Sequence, residues 1–98
     1  GMIYNVVLQN SSTFQVDDQE LALWLMIEQK SGLTFGEIEA MRGKGSLTAN
    51  AWIMFCGAIR QGKTELMKLE SWLEHEFDTF DIEDDSPKES TSDPSSDD

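Results

Sequence analysis

The side chains in this 98-residue chain that could do covalent or metal chemistry are few: one histidine, His75, and one cysteine, Cys56. A nucleophilic site needs an activated Ser, Cys or Lys beside a base. His75 stands between Glu74 and Glu76 on a helical stretch, where successive residues point about 100° apart. The positions that would pair with it are Ser71, Trp72 and Thr79, so a solvated histidine is expected. Cys56 lies in the apolar run from Ala51 to Ile59, with no partner for an internal disulfide and no metal-ligand spacing. A reducing, intracellular setting fits it best. Carboxylates are abundant, yet none sits beside an apolar pocket that would raise one pKa, so they read as a solvated face. Gly43-Lys44-Gly45-Ser46 shares part of a phosphate loop but lacks its first glycine and the preceding strand, which leaves a turn. The sequence therefore assigns no catalytic residue, no cofactor and no metal, and points to a non-enzyme that acts by binding.

The formal charge of −12 opposes contact with nucleic acid or an anionic membrane, because such affinity rests on Lys and Arg displacing counterions. The charge is uneven: residues 78 to 98 hold nine acids against Lys88 alone. The longest apolar runs, Leu21 to Ile27 and Ala51 to Ile59, fall far short of the roughly 20 residues that span a bilayer. No basic region precedes an apolar stretch, so an export signal is not expected and a soluble, cytoplasmic protein is. Gly1 ahead of Met2 reads as a cloning remnant.

These residues need elements to position them. Ile3 to Leu8 is β-branched and apolar, Gln9 to Ser12 forms a turn, and Thr13 to Val16 alternates, which predicts a β-hairpin over about 3–16. Asp17 or Asp18 can cap a helix over about 18–31, ended by Gly32. Thr34 and Glu37 have capping-box spacing for a helix over 35–42. Ser46 or Thr48 can cap another over 47–61, closed by Gly62, and Thr64 a last one over 65–77 with Leu66, Leu69, Trp72 and Leu73 as its stripe. After Ile82 no apolar residue remains, so residues 83–98 are expected to be a disordered acidic tail. The expectation is one folded domain over 2–82, mainly α, of about four helices with a short N-terminal β-hairpin.

Two helices, around Leu21 to Ile27 and Ala51 to Ile59, are apolar nearly all the way round. That pattern belongs to a helix contacted from several sides and exceeds what about 80 ordered residues comfortably bury. Trp24, Trp52 and Trp72 fall on three different helices. Most such residues are core, but Trp is also enriched at protein interfaces. Trp24, Leu25, Trp52, Phe55 and Trp72 are therefore the candidate protein-interface residues, and a homo-oligomer or an obligate partner is expected.

Several stretches carry a family resemblance. The hairpin, then Ile27-Glu28-Gln29-Lys30-Ser31-Gly32-Leu33-Thr34-Phe35-Gly36-Glu37-Ile38, then Ala51-Trp52-Ile53, then Ala58-Ile59-Arg60-Gln61-Gly62 and an acidic end, together resemble the tail assembly chaperones of long-tailed, siphovirus-like bacteriophages and prophages. The likeness covers roughly residues 3 to 82 and rests on helix boundaries and core positions. It implies a non-structural protein of the bacterial host cytoplasm. Such a protein binds the tape measure protein, a long apolar helical chain, and keeps it soluble while tail tube protein assembles around it. Two other readings remain: a generic partner-binding or toxin-neutralising module, and an acidic DNA mimic.

Overall fold

The computed structural model describes residues 1–84. The remaining acidic residues, 85–98, lie outside the described residues, and with them most of the expected tail. Strand β1 (Met2–Leu8) alternates so that Tyr4, Val6 and Leu8 share one buried face. Strand β2 (Thr13–Asp17) pairs with it antiparallel, setting Val16 opposite Tyr4 and Phe14 opposite Val6 on that same face. The turn between them places Ser11 in the left-handed region at φ 74°, and Asn10 Oδ1 accepts from the Ser12 amide at 3.0 Å. The hairpin is therefore where the sequence places it.

Four helices follow among the described residues: α1 (Leu21–Ser31), α2 (Phe35–Gly43), α3 (Leu47–Arg60) and α4 (Leu69–His75). Gly32 ends α1 at φ 76°. At α2 the capping box is complete, with the Glu37 amide donating to Thr34 Oγ1 at 3.1 Å and the Thr34 amide to Glu37 Oε1 at 2.9 Å. Ser46 caps α3 by accepting from the Ala49 amide. Two helix starts differ from expectation. Asp17 takes the Gln19 amide and Asp18 the Met2 amide, so neither caps α1, which begins at Leu21. Thr64 Oγ1 takes the Leu66 amide in a local turn, and the backbone is still extended at Lys68. The last helix is thus Leu69–His75 and not 65–77.

The expectation of a mainly helical fold is overturned by β3 (Phe77–Asp84), which pairs antiparallel with β1 and completes a sheet of order β2-β1-β3. The described residues are 49% helical and 24% strand, with helices covering one face of an antiparallel sheet, an α+β arrangement. Glu83 and Asp84, expected in the tail, belong to this strand. An aromatic row holds it: Phe55, Trp72, Phe77, Phe80 and Tyr4 follow one another at centroid separations of 5.7, 5.3, 6.1 and 6.2 Å. The middle of the outer face of the sheet is polar. There Asn5 Nδ2 donates to both Asp81 and Glu83, and Gln15 Nε2 donates to Asn5 Oδ1.

Helix α3 is the centre of the core, with Ala49, Ala51 and every residue from Ile53 to Ala58 buried. It lies so close to the sheet that a Cβ on Gly57 would stand 2.4 Å from Val16 Cγ2. Alanine in place of a mid-helix glycine ordinarily gains about 1 kcal/mol. Over-packing a well-filled core costs about 1–3 kcal/mol, so the clash should decide the sign. Gly57→Ala is expected to lower the free energy of unfolding in urea, whereas Gly43→Ala, where a Cβ meets nothing within 4 Å, should leave it equal or higher. A gain in both variants would show that helix and sheet are not in contact at Gly57.

Candidate protein-binding groove

The His75 side chain is 64% exposed, with Glu74 at 4.0 Å. Gly43-Lys44-Gly45-Ser46 is the turn from α2 to α3, with Gly45 at φ 81° and Ser46 as the α3 cap. Cys56 is enclosed in the core. No group of three or more His, Cys, Asp or Glu among the described residues could hold a metal ion.

The five candidate interface residues divide. Phe55 and Trp72 have no exposed surface and lie in the core of the chain. Trp72 is held by rings on both sides even though its indole N–H has no acceptor among the described residues. Trp52 is half-buried beside Phe55, at 6.2 Å between centroids. Trp24 and Leu25 come together on one surface groove, lined also by Asp18, Gln19, Leu21, Glu28 and Phe35. Its walls are exposed: Leu21 by 72%, Leu25 by 53% and Phe35 by 48%.

The geometry of α1 explains why. Leu23, Trp24 and Ile27 turn inward, and α1 packs on α3. Leu21, Leu25 and Glu28 stand at i, i+4 and i+7, one stripe on the other side. The helix that is apolar all round thus has a core face and an uncovered face. Trp24 forms the floor of the groove at 6% exposure. Its Nε1–H donates to the Asp18 carbonyl at 2.7 Å, and Phe35 meets its ring edge-on at 4.7 Å. Leu21 had a visible signal in its i, i+4 relation to Leu25. Phe35 had none, because it reaches Trp24 only through the turn between α1 and α2.

Beneath the groove lies a polar network. Arg42 donates from Nη1 to Asp18 Oδ2 at 2.9 Å and to Tyr4 Oη at 3.1 Å, and from Nη2 to Glu39. Tyr4 Oη donates to Asn50 Oδ1 at 2.6 Å, and the guanidinium stacks over Trp24 at 5.5 Å. Burial weakens the hold of Arg42 on its proton, but the bonds to Glu39, Tyr4 and Asp18 outweigh it, and its pKa is raised. The network joins β1, α2, α3 and the approach to α1 at the back of Trp24.

A second apolar groove is lined by Leu47, Thr48, Ala51, Met54, Leu69, Leu73, Phe77 and Phe80. Leu47, on its rim, is 73% exposed. No helix among the described residues is long and apolar enough to cross a membrane. No protein-family model matches the chain, and neither does any curated protein or solved structure.

Burial pushes the Cys56 thiol up to about 12. Burial also raises the Tyr4 phenol, against the opposing pull of Arg42. Both groups hold their proton more tightly folded than unfolded. Their stabilisation is therefore complete below the unfolded values, about 8.5 for Cys and about 10 for Tyr, and is lost as pH rises towards the folded ones. The melting temperature is expected to decline above about pH 9, and less steeply in Cys56→Ala. Native Cys56 should also resist a thiol reagent at about pH 8 until urea unfolds the chain. An equally steep decline in Cys56→Ala would remove the thiol from this account.

Proposed function

We propose that this chain is a non-enzymatic protein-binding module that works as a tail assembly chaperone of a long-tailed phage or prophage. In this reading it acts in the host cytoplasm and holds an apolar helical client, the tape measure protein, until tail tube protein surrounds it. The observation that carries the reading is the pair of apolar grooves, one on α1 and α2 and one among α3, α4 and β3, with Leu21, Leu25, Phe35 and Leu47 left uncovered. Amphipathic helices dock into grooves of this kind through anchors spaced i, i+3, i+4 and i+7. The charge of −12 supports the role from the other side, since like-charged complexes repel and stay dispersed. Self-association through one groove would leave the other for the client.

The gene is expected to lie between a tube protein gene and a very long helical reading frame. Co-expressed with fragments of that long product, the chain should bring them into the soluble fraction and co-elute with them. Leu25→Asn combined with Leu47→Asn should abolish this while the circular dichroism spectrum stays unchanged. Fragments that remain insoluble beside the intact chain, or a toxin or nuclease gene as neighbour, would overturn the reading.

A further inference from the structure

We propose that the groove between α1 and α2 takes a basic amphipathic helix, with apolar anchors against Leu21, Leu25 and Phe35 and Lys or Arg on its flanks. The proposal rests on the binding role above and names the face and the chemistry of the client that meets it.

The charge of the groove selects the occupant. Its charged lining residues are Asp18 and Glu28, and no lysine or arginine lines it. Asp18 shares Arg42 with Glu39, so that cluster keeps one net negative charge. Glu28 Oε2 accepts the Phe35 amide at 2.8 Å and forms no ion pair among the described residues. Asp18 already holds Arg42, so a docked helix would newly exclude water from Glu28. An occupant without cations would leave the Glu28 carboxylate desolvated with no ion-pair partner, which disfavours it. One with Lys or Arg beside its apolar stripe compensates it.

The same carboxylates argue against a second copy seated groove to groove. Such a contact sets Asp18 and Glu28 against their own equivalents, and each copy already carries −12. Dimension favours a helix. Leu21 and Glu28 are separated by about 10 Å of helical rise, which two turns of an occupant span with anchors at i, i+3 or i+4, and i+7. The second groove, around Leu47 and Leu73, has no charged residue in its lining and so selects no partner by charge.

The test uses the intact chain and two labelled helices of about 18 residues, both with leucines at i, i+3, i+4 and i+7, one with lysines elsewhere and one with glutamates. Fluorescence anisotropy should show the lysine helix binding and the glutamate helix failing. Leu25→Asn and Phe35→Ala should each weaken the lysine helix about tenfold or more. Glu28→Gln, which keeps an acceptor for the Phe35 amide, should weaken it less and flatten its salt dependence. Leu47→Asn should leave it unchanged. Equal binding of the two helices, binding indifferent to Leu25→Asn and Phe35→Ala, or loss on Leu47→Asn would overturn the proposal. So would a dimer in sedimentation that Leu25→Asn dissociates, because the occupant would then be a second copy. The outcomes separate this proposal from the chaperone role. If the lysine helix binds here but the co-expressed client stays insoluble, the role falls and the groove stands. If Leu25→Asn solubilises the client as well as the intact chain does, the groove falls and the role stands.

Discussion

The contact between Gly57 and Val16 sets the distance between the helical layer and the sheet, and the other packing follows from it. With no Cβ at Gly57, α3 settles onto β2, and the inward residues of the hairpin meet a helix buried along nearly its whole length. Because α3 takes the sheet, the shorter helices pack around α3, with α4 also meeting β3 through Trp72 and Phe77. Helix α1 covers it with Leu23, Trp24 and Ile27, α2 with Ile38, and α4 with Leu69 and Trp72. An outer helix has one face to bury and one to spare. In α1 the spare face is also apolar, and that is what separates this chain from an ordinary two-layer domain.

Local chemistry was legible in the sequence wherever it is settled within a few residues. The box at Thr34 and Glu37, the cap at Ser46, the left-handed Gly32 and the Gln9 to Ser12 turn each depend on neighbours in the chain, and each formed as their residue types dictate. Strand β3 was not legible, for a physical reason. Its partner on β1 is more than 70 residues away, with Tyr4 opposite Ile82 and Val6 opposite Phe80. A register shift at Val7 and Leu8 breaks the alternation that would mark a strand. Acids at Asp78, Asp81, Glu83 and Asp84 make the segment resemble the tail it leads into. Those same acids suit an edge strand with a solvated outer face, where charge deters pairing with another chain, and Asn5 ties two of them down.

The candidate site was half legible. A tryptophan carries the same signature in sequence whether it fills a core or anchors a partner, since both uses exploit one large ring. Trp72 and Trp24 differ only in what surrounds them. Rings of α3 and β3 enclose Trp72, whereas α1 turns Trp24 to the boundary of the core, where Phe35 packs edge-on against its ring and a small part of the indole lines the groove. Leu25 stood out because a leucine run longer than one face must leave some residues outside. Glu28 did not, because its meaning comes from sitting at the end of that exposed stripe.

Trp24 belongs to the core and to the groove at once, and this bears on how the groove can bind. Its indole is tethered to the Asp18 carbonyl, capped by the Arg42 guanidinium and braced by Phe35. Arg42 is in turn fixed by Asp18, Glu39 and Tyr4. The floor is therefore held from α2, β1 and the chain ahead of α1 before any partner arrives. A partner that docks on a floor already in place loses little free energy to ordering the receptor. The side chains left to settle are Leu21, Leu25 and Phe35, each with few rotatable bonds. The polar network is thus more than a clamp between layers: by fixing Trp24 it converts an unburied helix face into a preformed surface, with Asp18 and Glu28 setting its charge.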